Sequence, residues 1–423
     1  MKTYIDNKKI ENEGLIIGEE IVGNLAEQCK QDFPLLQQMI DGRPITYLDS
    51  AATSLKPRQV TDEIVRYYHE VGANIHRGKH FLSDQASTDF EAVRAKVAQF
   101  TGFLSNEVVF TSNTTASINI VASGLQMKQS DIVLIPFDAH HSAMLPWRKV
   151  ADVHYIPIDN TGVIDLNKYR ELLHLKPTLV VINSCSNVTG CYSPVEEMAA
   201  MAKEVGALTL VDAAQAVGHR SILCKNIDFL VFSAHKMLGP TGLGVLCGRQ
   251  EHLMRLVPSS LGGGMVDWVD INHFEFRKIP HSLEAGTPNI AAVYGLGAAI
   301  DYLMNIGYNE LINHDRNLGR VLVHNALKRP YMNIIGSVDN VDRSGILSFS
   351  IKGVHNLKEI AKILSDSYGI FCRTGHMCAQ PFIDSITDDE ILRVSGYIYN
   401  DNSDIDFLFS ALDDVIQYVS RKK

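Results

Sequence analysis

The chain has no CxxC pair, and its 423 residues contain an odd number of cysteines, seven. That argues against a disulfide framework and leads to the expectation of a cytoplasmic protein with reduced thiols. It also lacks an apolar run of bilayer-spanning length and a signal-peptide pattern, so no membrane association is expected. Basic blocks are missing apart from the terminal Arg421-Lys422-Lys423, and the formal net charge is −9. Nucleic-acid binding through bulk charge is therefore excluded. There is no internal repeat, low-complexity stretch or Pro-rich linker. What remains is small-molecule chemistry, in a chain whose length and 46% hydrophobic content exceed one ordinary core.

From Val108 to Cys247, short apolar runs alternate with helical stretches: 108–110, 132–135, 153–156, 179–182, 208–211, 229–232 and 244–247. Runs apolar on every residue are strands buried on both faces, which predicts an α/β unit with a seven-stranded, mostly parallel sheet. After about Ile300 the pattern changes to helix 317–328, strand 346–350, helix 357–367, short strands around Phe371 and Leu392, and a last helix from Asp404. This reads as a smaller α+β domain. Residues 46–299 are assigned to the large domain, 1–45 and 300–423 to the small one, with a helix over Ala291 to Asn305 packed against both. Met1 to Glu20 read as a polar tail or an extra edge element.

The most informative residue is Lys236, in Ser233-Ala234-His235-Lys236, after the apolar run 229–232 and before Gly239-Pro240-Thr241-Gly242. An amine at a strand end can form a Schiff base with an aldehyde cofactor, usually pyridoxal phosphate (PLP). The ordinary alternative is a solvated loop lysine. Upstream, Leu208 to Val211 is an apolar strand ending in Asp212, a carboxylate suited to pair with the pyridine nitrogen. Ligands gather beyond the carboxyl ends of such strands, where Thr114, His140, Asn187, Asp212 and Lys236 all fall.

Other residues follow the same logic. Asn113-Thr114-Thr115 opens a helix, where hydroxyls and free N–H groups make a phosphate site or a plain N-cap; Ser233 and His235 add donors. One of His140-His141 can stack on a pyridine ring and move protons. Asn187 and Gln215 can reach the ring hydroxyl or the substrate. Arg393 can hold a carboxylate through a bidentate contact. Cys378, in the polar loop Arg373-Thr374-Gly375-His376-Met377-Cys378, is a candidate reactive thiol, with Arg373 and His376 favouring its thiolate. Cys372, His376 and Cys378 do not have a recognised metal spacing, and no metal is expected.

Taken in order, these segments, together with Tyr47-Leu48-Asp49-Ser50-Ala51-Ala52, His76-Arg77-Gly78 and Glu284-Ala285-Gly286-Thr287-Pro288, resemble the class V aminotransferase family of fold-type I PLP enzymes. Within it, the chain is most similar to the SUF-type cysteine desulfurases and selenocysteine lyases. The resemblance implies that Lys236 carries the cofactor, Asp212 pairs with its ring nitrogen, His140 stacks on the ring, and Gln215 and Asn187 hold its oxygen and substrate side. It also implies phosphate binding by Thr114, Thr115, Ser233 and His235, with Thr287 donated by a second subunit of a homodimer. His76, Arg373 and Arg393 would bind an amino-acid substrate, expected to be L-cysteine. Cys378 would take its sulfur as a persulfide, leaving alanine, and pass it to an acceptor protein. The chain departs from the family pattern at Ala116, where glutamate is common, at Met377, where histidine is common, and at Gly396, usually bulkier. Those departures leave room for a PLP-dependent lyase, transaminase or epimerase acting on another amino acid, or for a sulfur-relay partner that mainly binds an acceptor.

Overall fold

The computed structural model describes residues 23–421 apart from 77, 160–161, 223–224 and 340–341; the polar segment Met1 to Glu20 lies outside them. Seven strands, β1 (Val108–Thr111), β2 (Ile132–Pro136), β3 (Asp152–Ile156), β4 (Leu179–Asn183), β5 (Leu208–Asp212), β6 (Phe229–Ser233) and β7 (Gly244–Gly248), form one sheet in the order β1-β7-β6-β5-β4-β2-β3. Only β7 runs against its neighbours; the remaining pairs are parallel. The apolar runs act as the sequence predicts, because successive side chains point to opposite faces. Val133, Ile135, Leu179, Val181, Leu210, Phe229 and Val231 enter one core. Leu134, Val180, Ile182, Val211, Leu230 and Phe232 enter another on the opposite face.

Since β1 is antiparallel to β7, it points the same way as β2, β4, β5 and β6. Their carboxyl ends, Thr111, Pro136, Asn183, Asp212 and Ser233, therefore share one edge. Gly244, opposite both Thr111 and Ser233, leaves room there for another backbone. A Cβ at this position would lie 2.5 Å from Asn113 backbone atoms, so the loop leading to Thr114 closes over it only because residue 244 is glycine.

The C-terminal part holds four antiparallel strands, β8 (Met332–Ile335), β9 (Ile346–Ile351), β10 (Arg373–Gly375) and β11 (Ile391–Ser395), in the order β8-β9-β11-β10. The helices Leu357–Tyr368 and Asn402–Arg421 belong with them. Leu347, Phe349, Leu392, Val394, Leu364 and Leu408 form a separate core. The sequence reading missed β8 and β10, which are short, and β10 is polar. Thr46–Tyr47, placed by sequence in the large domain, pairs with Ile370–Phe371, and Leu48 packs in the C-terminal core.

The connection also differs from expectation. The helix Ile290–Ile306 forms, but its buried side chains belong to the large core. The chain then breaks at Gly307, with φ 89°, and turns by 84° into the helix Tyr308–Leu327. This second helix spans both units, with Leu311 in the large core and Leu318 and Leu322 in the small one. Among the described residues, no single helix is long and apolar enough to cross a membrane.

Phe232 is fully buried one residue before the Ser233 loop. Phe232→Ala is expected to lower stability by about 3–5 kcal/mol, measured as a lower midpoint in urea unfolding followed by circular dichroism.

Candidate active site

Lys236 ends a short helical turn, Ala234–Lys236, directly after β6. Most of the donors that anchor the turn converge on one carbonyl. His235 O accepts from Ser54 N–H (2.9 Å), Thr53 Oγ1 (3.1 Å), Ser54 Oγ (3.1 Å) and Lys56 Nζ (3.2 Å). Burial lowers the Lys236 amine to about 8, with Arg393 and Arg373 acting in the same direction and Asp212 and Cys378 opposing. Four other predicted groups thus act on this amine through their charge: Asp212 from the end of β5, Arg393 and Arg373 from the C-terminal sheet, and Cys378 from the loop beyond it. Asp212 is raised by burial, partly offset by the Ala214 N–H at 3.0 Å and by Lys236.

His140 caps the helix His141–Arg148, with its Nδ1 accepting the Ser142 N–H (3.1 Å). Burial first, then Lys236, His141 and Arg393, lower it to about 4. The ring is therefore neutral near pH 7, and the bond to Nδ1 assigns its proton to Nε2. His235 is likewise lowered to about 4, by burial and then by Lys236 and Lys56.

At the start of the helix Thr114–Gly124, the Asn113 side chain caps Ala116 N–H. Thr114 N–H donates to Ser233 Oγ (2.8 Å), and the two hydroxyls are 2.6 Å apart. Thr115 Oγ1 meets Ser142 Oγ at 2.6 Å. Hydroxyls from three loops thus surround a helix N-terminus, an arrangement suited to a phosphate group. Ser142 was not singled out from sequence; its position after the histidine pair, opening a helix, is the signal that was there.

Gln215 and Asn187 are near the site but are partly committed to protein groups. Gln215 Nε2 donates to Ala51 O (2.8 Å), and Asn187 Nδ2 donates to Met377 O (2.7 Å). Met377 and Cys378 both have left-handed backbones, φ 48° and 54°, costly for residues with a Cβ. That conformation is held by the Asn187 bond, by His141 N–H donating to Cys378 O (2.7 Å), and by the burial of Met377 against Val188, Phe382 and Ile391. Among the described cysteines only Cys378 is exposed.

Arg393 is buried. Its Nη1 donates to Asn187 O (2.9 Å) and its Nη2 to Asp49 Oδ1 (3.2 Å), while its buried Nε has no partner among the described residues. A planar cation with a spare donor suits a carboxylate. Sequence reading missed Asp49 as a site group, because only the fold brings residue 49 to residue 393.

Two predicted residues lie elsewhere in this chain. His76 has its ring against Phe90 and His281 and its Nε2 3.5 Å from Glu91. Thr287 is in an exposed loop, where its hydroxyl accepts from Asn74 (3.4 Å). A separate cleft of about 900 Å³, lined by Asp32, Asp62, Arg66 and Asp301 among others, contains none of the predicted site residues.

The sequence model described as Aminotransferase class-V matches residues 46–408. A probable cysteine desulfurase of Synechocystis sp. is 38% identical over 411 residues, covering 94% of this chain and 97% of that protein. A cysteine desulfurase of Haloferax volcanii is 37% identical, covering 92% and 96%. Among solved structures, the apo cysteine desulfurase of Thermococcus onnurineus superposes with a TM-score of 0.86 at 34% identity, covering 92% of this chain and 98% of that one. The S-sulfonic acid form of an Escherichia coli cysteine desulfurase superposes with a TM-score of 0.84 at 33% identity, covering 93% and 98%.

The position of Lys236 makes its reactivity testable. Only the neutral amine attacks an aldehyde, so an amine lowered to about 8 gives a capture rate that rises with pH up to about 8 and flattens above. Capture of pyridoxal phosphate by protein stripped of any bound aldehyde, trapped with borohydride, should follow that profile and be lost in Lys236→Ala. A rate still climbing near pH 10 would indicate an ordinary lysine.

Proposed function

The chain belongs to the class V aminotransferase family, and on that premise we propose that it is a PLP-dependent cysteine desulfurase, converting L-cysteine to L-alanine and retaining the sulfur on Cys378. The observation that carries this reading is the position of Cys378, an exposed thiol on a strained, anchored loop, within charge–charge range of both Lys236 and Arg393.

The residues fit the cofactor. Lys236 offers a low-pKa amine, Asp212 a carboxylate at the same strand edge, and Thr114, Thr115, Ser142 and Ser233 hydroxyls at a helix N-terminus. When bound, PLP supplies an electron sink for the substrate's α-carbon. Arg393, through its unpartnered Nε, orients the substrate carboxylate and so fixes which bond faces Cys378. His140, neutral with its proton on Nε2, offers the site a proton donor. Cys378 Sγ, as the thiolate, attacks the substrate sulfur: an S–S bond forms, the Cβ–S bond breaks with its electron pair staying on the carbon skeleton, and Cβ takes up one proton so that the skeleton leaves as alanine. The persulfide is then open to an acceptor, since the loop faces solvent.

A homodimer belongs to the same reading. It is supported by the exposed apolar hairpin Val266–Val269 and Phe274–Phe276, with Trp268, Phe274 and a fully exposed Ile271 at its tip. His76 and Thr287, both near Asn74 on an exposed rim, would then serve the neighbouring subunit's site.

With L-cysteine and dithiothreitol, the PLP-bound protein should release alanine and sulfide in equal amounts, and Cys378→Ser should reduce both to the rate without enzyme. Undiminished alanine formation by the variant would sink the assignment of Cys378, and cofactor spectral changes without alanine would sink the reaction.

A further inference from the structure

His76, Glu91 and His281 come from three separate segments, and one ligand atom from each lies within 4.8 Å of the other two. Glu91 is on the helix Phe81–Thr101, where Ser87, Glu91 and Arg94 follow at steps of four and three and so share one face. Ser87 Oγ accepts the His76 N–H (2.8 Å) and holds the left-handed backbone of His76, φ 69°, against that face. Its Nε2 then lies 3.5 Å from Glu91 Oε1. His281 opens the turn His281–Leu283 and sets its ring edge-to-face on His76, with centroids 5.1 Å apart.

The groups behind these three fix their orientation. Buried Arg94 holds Glu91 by both oxygens, Nε to Oε2 at 2.9 Å and Nη2 to Oε1 at 3.3 Å, and is itself held by Glu284 at 2.7 and 3.0 Å. Glu284 Oε2 is 3.7 Å from His281 Nδ1, an imidazole–carboxylate pairing of the kind that backs a ligating histidine and leaves its Nε2 free. The negative charges of Glu91 and Glu284 balance Arg94 and Arg277, the latter turned toward Gly264 O (3.1 Å) and Asp267 (3.8 Å). Burial lowers His76, with His281, Arg277 and Arg94 in the same direction and Glu91 opposing. Its ring is therefore neutral near pH 7 and has a lone pair to give.

The spacing suits an ion better than a direct contact. At 3.5 Å His76 and Glu91 are too far apart for a strong hydrogen bond. A tetrahedral ion with bonds of about 2.0–2.1 Å separates its ligand atoms by about 3.4 Å. The side chains of His76, His281 and Glu91 are 21%, 22% and 40% exposed, so an ion can enter from solvent and keep a water on that side.

We propose that His76, His281 and Glu91 form a binding site for a divalent transition ion of the zinc class, held by two imidazoles and one carboxylate with its fourth position open to water. Imidazole ligands select Zn2+, Co2+ or Ni2+ over Mg2+ and Ca2+, which take oxygen donors. The site does not depend on the PLP reading. Cys372, His376 and Cys378, the metal candidates that the sequence offered, take no part in it. A bound ion fixes the ring of His76, the residue assigned above to the neighbouring subunit's site.

The test uses the PLP-bound protein, dialysed against a chelator and titrated with Zn2+ in competition with a chromophoric chelator. One ion should bind per chain. His281→Gln and Glu91→Gln should each weaken binding at least about tenfold, the scale at which even a supporting contact counts, whereas Cys378→Ser should leave it within about twofold of wild type. X-ray absorption of the zinc-loaded wild type supplies a readout that needs no variant: a first shell of nitrogen and oxygen with two imidazoles and no sulfur. Affinity unchanged in His281→Gln, binding lost in Cys378→Ser, sulfur in the first shell, or no Zn2+ bound by wild type beyond that bound by the His76→Gln/His281→Gln double variant would each overturn the proposal. If Glu91→Gln does not fold, because it also releases Arg94, His281→Gln and the absorption spectrum decide.

Discussion

A lysine amine held out of water beside a carboxylate is the constraint on which the rest of this structure depends. Lys236 keeps a reactive, low-pKa amine only while its loop stays closed, and that loop is held at the His235 carbonyl, which takes four donors from residues 53–56, and by Leu238 N–H donating to Ser54 Oγ. Lys56 is itself lowered to about 8 by burial, a cost that the structure accepts to keep a cation on that carbonyl. The parallel strands β5 and β6, in turn, must end at one edge for Asp212 and Lys236 to sit together. The doubly covered sheet provides this, because its alternating side chains leave neither face free to shift register.

The C-terminal unit adds what the sheet edge lacks. Its strands β10 and β11 present two arginines, and the loop after β10 presents a thiol. These would be incompatible neighbours without compensation: the arginines repel each other until Asp49 joins them, and the cysteine loop is strained until Asn187 and His141 hold its carbonyls. Asn187 and His141 come from segments that also form the PLP side of the site. The two units are therefore coupled through the chemistry as well as through the helix Tyr308–Leu327.

Much of this was legible in the sequence. Each of the seven strands was marked by a short, largely apolar run, since a strand covered on both faces is apolar at most positions; β3, buried only at Ile156, carries Asp152 and His154 as an edge strand can. Lys236, Asp212 and His140 were legible because each follows such a run, and strand ends of one α/β sheet converge. The short polar strand β10 was not legible, because three residues reading Arg-Thr-Gly carry no period. Nor was the bridging role of Tyr308–Leu327, which depends on how far the chain turns at Gly307.

By itself, the sequence determined the α/β class, the strand edge at which the chemistry gathers and the types of group available there, because hydrophobic periodicity and turn residues are local signals. Only the tertiary structure decided which of those groups are partnered. That Asp49 joins Arg393 to Arg373, that Asn187 spends its amide on Met377, that Ser142 meets Thr115, and that His76 and Thr287 stand apart from the Lys236 cluster are all contacts between residues far apart in the chain or on separate loops. Their charge and hydrogen-bond energies depend on distance and burial, which no local pattern encodes.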